Sequence, residues 1–188
     1  MKNKGFTLIE LLTVIGIISI LSVVFIANYR GGNKEFALKR SAYQLAQGIR
    51  LAQEKSSASQ SFYGEYQGAF GVYLEEGSNS FILFVDCDSD GIYNPGIYSC
   101  DDCRGSSCIS NVFTEEFEEY SLESGVSISD ISSNISGHFS VTFTPPDPTV
   151  TFTPDASEVT MSIQGEGTDG LSTRQIIVNK SGLVSIIQ

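Results

Sequence analysis

Three aspartates alternate along one short stretch, Asp86, Asp88 and Asp90, and Gly91 follows at once. Carboxylates at every second position before a glycine have the spacing that opens a calcium-binding loop of the EF-hand type. In such a loop the oxygens turn inward and the glycine permits a sharp turn. The twelfth position of that loop wants a bidentate glutamate and is Ile97 here, so Asn94, Asp101 or Asp102 would supply further oxygens. The bland alternative is a solvated acidic turn in which each aspartate caps its own backbone. Four cysteines, Cys87, Cys100, Cys103 and Cys108, crowd the same region. Their even number and close spacing favour two local disulfides in an oxidising compartment. Zinc is the rival, because Cys100 and Cys103 form a CxxC pair. Its other half would be Cys87 and Cys108 at irregular spacing, and the only histidine is His138, which reads as structural. Either way the pairing stays open. No histidine or base stands at a recognisable distance from a serine or cysteine, and no glycine-rich phosphate loop is present. The chain therefore reads as non-enzymatic.

One more acid stands out by its surroundings. Residues 6–29 are almost wholly apolar, yet Glu10 lies near their start. About 36 Å of helix is enough to span a bilayer core. Lys2 and Lys4 precede the run and place the N-terminus in the cytoplasm, so the remainder is extracytoplasmic. Bulky Phe25 and Ile26 stand where a signal peptidase needs small residues, so the segment reads as retained. Glu10 in such a run either snorkels toward the headgroups or has a partner and a task.

After Gly31-Gly32, taken as a kink or short break, residues 34–55 form an amphipathic pattern. Leu38, Ala42, Leu45, Ile49 and Ala52 recur at helical steps and make one face, with Lys39, Arg40, Gln44 and Gln47 elsewhere on the wheel. From residue 68 the signals become β-type. "AFGVYL" and "SFILFVD" flank the turn "EEGSN", and "HFSVTFT", "EVTMSIQ" and "RQIIVN" are strand-like. "RQIIVNKSGLVSIIQ" reads as a closing hairpin, "TPPDPT" as an exposed turn, and residues 86–111 as a loop. The predicted fold is α+β, a long N-terminal helix docked on an antiparallel β-sheet head.

Charge divides along the same line. Residues 1–55 hold eight Lys and Arg against three acids, and residues 56–188 hold three against nineteen. A stem of +5 thus carries a head of −16, which argues against nucleic acid as a partner. The run Glu115, Glu116, Glu118 and Glu119, with Phe113 and Phe117, reads as a solvated face or as a contact for a basic partner subunit.

The stretch "KGFTLIELL" resembles the N-terminal motif of type IV prepilins and pseudopilins. The resemblance implies cleavage by prepilin peptidase between Gly5 and Phe6, N-methylation of Phe6, and a role for Glu10 in assembly. It implies a leader over 1–5, a transmembrane and later filament-core helix over 6–30, and an extracytoplasmic head over 31–188. Implied partners are membrane lipid before assembly, an inner-membrane assembly platform, and other pilin or pseudopilin subunits through the N-terminal helix. The implied location is the inner membrane as a single-pass protein, then a surface or periplasmic filament. "RSAYQLAQGIRLAQEKS" and "IIVNKSGLVSI" more loosely resemble GspH/FimT-type minor pilins and pseudopilins. FimT-like members that bind DNA use basic residues near the C-terminus, where this chain has Lys180 alone. The leading expectation is a structural, minor subunit of a type IV pilus-like filament or type II secretion pseudopilus. Its rival is a membrane-anchored module that binds calcium or another ligand and does not polymerise.

Overall fold

The computed structural model describes residues 5–60, 68–96, 98–99, 112–131, 137–145, 149–167 and 170–187, without the side chains of 25–32, 98–99, 112–113 and 166–167. Among the described residues one helix, α1 (Leu8–Ser57), precedes eleven strands. These are β1 (Ala69–Glu75), β2 (Ser80–Asp86), β3 (Tyr98–Ser99), β4 (Val112–Phe113), β5 (Glu116–Ser121), β6 (Val126–Ile131), β7 (His138–Thr144), β8 (Thr149–Thr153), β9 (Glu158–Gly167), β10 (Gly170–Asn179) and β11 (Val184–Ile187). The larger strands form two antiparallel sheets, ordered β5-β2-β1-β7-β8 and β11-β10-β9-β6, while β3 and β4 pair separately. The α+β architecture is as expected from the sequence.

The five residues predicted to line one face of the helix are all buried. They join Phe70, Val72, Phe139, Val141, Met161 and Ile163 from the sheets in one core. Burying each large aliphatic side chain contributes about 1.5–3 kcal/mol, so this face holds the helix to both sheets. Gly48 lets the two approach: a Cβ there would lie 2.5 Å from the Phe81 ring. At the helix end the buried Ser56 hydroxyl donates to the Phe143 carbonyl of β7. Of the kink or short break predicted at Gly31-Gly32, the break is absent, since α1 runs on through both glycines. Glycine costs about 1 kcal/mol in a helix, and long helical segments on either side outweigh that through cooperative propagation.

The β1–β2 and β10–β11 hairpins fall where the turn residues place them. Gly182 adopts φ 77° in the second turn, where glycine is required. Sequence reasoning missed the short pair β3 and β4, the first of them inside the predicted loop, and also β5, β6 and β8. Of these, β5 matters most: it is an edge strand whose register against β2 shifts between Leu83 and Phe84. Beside that irregularity the Val85 N–H donates to the Glu115 carbonyl at 2.8 Å. Glu115 is thereby fixed under the loop that leaves β2.

Candidate functional site

The first site is the start of α1. Thr7 is the N-cap, and its hydroxyl accepts from the Glu10 N–H at 3.3 Å. The Glu10 carboxylate accepts in turn from the Thr7 N–H at 3.3 Å and from its hydroxyl at 3.1 Å. This is a capping box, which satisfies two backbone donors that the helix itself cannot. The T-x-x-E signal was present in the sequence and went unread. It supplies a local reason for an acid at position 10 and points the carboxylate back toward Phe6. Gly5 and Phe6 are exposed, and nothing lies within 4 Å of where a Gly5 Cβ would be. The Gly5–Phe6 bond is therefore open to a protease.

Beyond the cap, Leu8, Ile9, Leu12, Ile20 and Val23 are all exposed on a helix apolar on every side. A continuous apolar surface of this size calls for lipid or other helices to cover it. Thr13, Ser19 and Ser22 donate their hydroxyls to the carbonyls of Ile9, Ile15 and Ile18, so they need no water. Among the described residues no helix is long and apolar enough to cross a membrane. The side chains of 25–32, which would complete the span predicted over 6–30, lie outside the described residues.

The second site is the loop after β2. Asp86, Asp88 and Glu115 bring carboxylate oxygens within 4.8 Å of one another. Backbone groups hold each in place. The Asp86 Oδ2 accepts from the Gly91 N–H at 3.0 Å and the Asp88 Oδ1 from the Asp90 N–H at 3.2 Å. Glu115 accepts from the Cys87 N–H at 3.2 Å and the Asn94 N–H at 2.8 Å. Gly91 has φ 76°, a conformation that favours glycine.

The converging set differs from the predicted trio. The Asp90 Oδ1 caps the Ile92 N–H at 2.7 Å, and its Oδ2 meets the Asn94 side-chain amide at 3.3 Å. Glu115 takes the third place. It is fully buried, which corrects its assignment to a solvated face, whereas Glu116, Glu118 and Glu119 are exposed as expected. Nothing in the sequence separates Glu115 from its neighbours; the β5 register and the loop backbone do. Asp101 and Asp102 lie outside the described residues. Cys87 is disulfide-bonded and offers no thiolate to zinc. Cys100, Cys103 and Cys108, and hence the pairing, lie outside the described residues.

The donors are all hard oxygens, which suits calcium or magnesium and not zinc. Burial, reinforced by the neighbouring aspartates, pushes Glu115 up to about 7 against the pull of its two backbone donors. Burial likewise raises Asp86 to about 6, with Asp88 and Asp90 adding repulsion. Both groups bind protons more tightly folded than unfolded. Their contribution to stability is complete below the ordinary carboxylate range and is lost as pH rises through 6 and 7. We therefore expect the melting temperature, measured in a chelator, to fall between pH 6 and 8, where ordinary carboxylates no longer titrate. Glu115→Gln should flatten that segment, and an unchanged slope in the variant would contradict the assignment.

Residues 1–26 match the family described as the prokaryotic N-terminal methylation motif, the signature of type IV pilins and pseudopilins. The motif supports a type IV pilin- or pseudopilin-like precursor, and proteins with this motif are structural rather than catalytic. The match ends before the amphipathic half of α1 and includes none of the β-rich head. No curated protein and no solved structure matches the chain.

Proposed function

We propose that this protein is a structural subunit, of the minor kind, of a type IV pilus-like filament or type II secretion pseudopilus. The observation that carries the reading is an exposed Gly5–Phe6 bond directly before a capped helix that is apolar on every side. Prepilin peptidase cleaves that bond and the new Phe6 amine is methylated. The chain waits in the inner membrane with its head outside the cytoplasm, anchored by residues 6–30. Assembly then replaces lipid contacts by helix contacts in the filament core. There a lone carboxylate carries a heavy penalty unless a cation meets it, and the Phe6 amine of a neighbouring subunit supplies one. Glu10 thereby sets the axial register between subunits while also capping its own helix.

Two variants separate these roles. Glutamine serves in a capping box as glutamate does but carries no charge. We expect Glu10→Gln and Glu10→Ala both to insert in the membrane and both to be impaired in filament incorporation, as read by shearing and immunoblotting. If Glu10→Gln assembles normally while Glu10→Ala does not, capping alone explains the acid.

A second element of the reading concerns the loop, where Asp86, Asp88 and Glu115 supply the converging oxygens and Asp90 braces the turn. We infer that calcium occupies this cluster once the head has left the cytoplasm, with local disulfides among Cys87, Cys100, Cys103 and Cys108 closing the loop. The cation supplies the countercharge that lets buried carboxylates ionise. At pH 7.5 millimolar calcium should raise the melting temperature, and Asp88→Asn should blunt the rise. A wild-type melting temperature that does not move with calcium would remove this element and leave the filament reading standing.

A further inference from the structure

We propose that the outward stripe of α1 from Phe36 to Arg50 docks the acidic edge strand β5 of a second copy of this chain. The inference rests on the filament reading and names a contact surface within it. Phe36, Lys39, Tyr43, Gln47 and Arg50 recur at steps of three or four, Arg40 stands beside Lys39, and all six are exposed, Phe36 at 63% and Tyr43 at 49%. Between Phe36 and Gln53 the sequence holds Lys39, Arg40 and Arg50 and no acid. Strand β5 is the reverse: Glu116, Glu118 and Glu119 are exposed and no cation lies between residues 105 and 173.

Cations on the described part of the head do not offer an equivalent surface. The Arg174 side chain is only 13% exposed and lies 3.8 Å from Glu35, and the Lys180 ammonium sits 2.8 Å from Asp155. Within one copy the C-terminal end of the stripe adjoins β5, with Gln47 and Arg50 lining one groove with Tyr120. The Gln44 side chain donates to the Ser121 carbonyl at 3.1 Å, and Gly48, Leu51 and Tyr120 line one shared groove. The stripe's contacts with its own head are slight, an Arg40–Glu123 ion pair at 3.4 Å and an Arg50 bond to the Val184 carbonyl at 3.1 Å.

Two different complementary patches on one molecule make a heterologous contact, which joins one copy to the next without two-fold symmetry. Single exposed ion pairs contribute little, so the contact needs several of them with Phe36 and Tyr43 as apolar anchors. Glutamates on an edge strand also disfavour strand-to-strand addition, which makes this a side-chain contact. Aromatic and basic residues suit anionic lipid headgroups as well. The complementary glutamate strand, on a head whose charge repels an anionic surface, favours the second copy.

The test places a photo-crosslinking benzoyl-phenylalanine at Tyr43, and separately at Phe36, in the full chain in host membranes. A differently tagged second copy is co-expressed, and the N-terminus of each copy is read in the same samples. We expect a copy-to-copy link that maps to residues 112–121. Reversing Glu118 and Glu119 to lysine in the receiving copy should lower its yield roughly tenfold, the effect of about 1.4 kcal/mol. Reversing Lys39 and Arg40 to glutamate in the probe copy should restore it. A processed chain whose probes link to another protein, to lipid or to nothing overturns this contact alone. A chain that keeps Met1 and gives no copy-to-copy link overturns the filament reading with it.

Discussion

A single continuous helix meets two environments along one axis, and most other features of this protein follow from that. Between Leu38 and Ala52 the helix has one apolar face, which the two sheets bury completely. Toward the N-terminus it is apolar on all sides and exposed. Water satisfies the second half and cannot satisfy the first, since a surface of that kind must be removed from solvent by lipid or by like helices. The hydroxyls of Thr13, Ser19 and Ser22 fold back on the helix carbonyls, and Glu10 folds back on its N-terminus. Among the described side chains from Thr7 to Val24, each polar group is thus tied to the helix backbone.

The head solves a different problem. Its buried acids are costly as charges, and the loop after β2 spends backbone N–H groups on holding them together. An arrangement that is strained when ionised and relaxed when protonated or cation-bound responds to its surroundings. The edge-strand glutamates beside it are different in kind, since water already solvates them.

Much of the architecture was legible because it rests on local periodicity. The buried helix face followed from steps of three and four, and the flanking turns marked the β1–β2 and β10–β11 hairpins. Other local signals were present and unread: T-x-x-E at residues 7–10, and the alternation of "VSISDI" and "TVTFT" in β6 and β8. Strand β5 was hidden because "EFEEYS" reads as a charge run, and an edge strand needs little apolar content. The place of Glu115 was beyond local reading. Four nearby glutamates differ only in how β5 registers on β2, which is a tertiary fact. The glycine pair misled for the opposite reason, since a local penalty was overcome by the length of helix on either side.

The central claim is that residues 6 onward are released from a cytoplasmic leader to build a filament. Intact-mass and N-terminal peptide spectrometry on the protein from its own host's membranes tests it most directly. The account predicts a chain that begins at a methylated Phe6. A mature chain that still begins at Met1 would contradict it, and would leave Glu10 as a helix cap on a plain membrane-anchored domain.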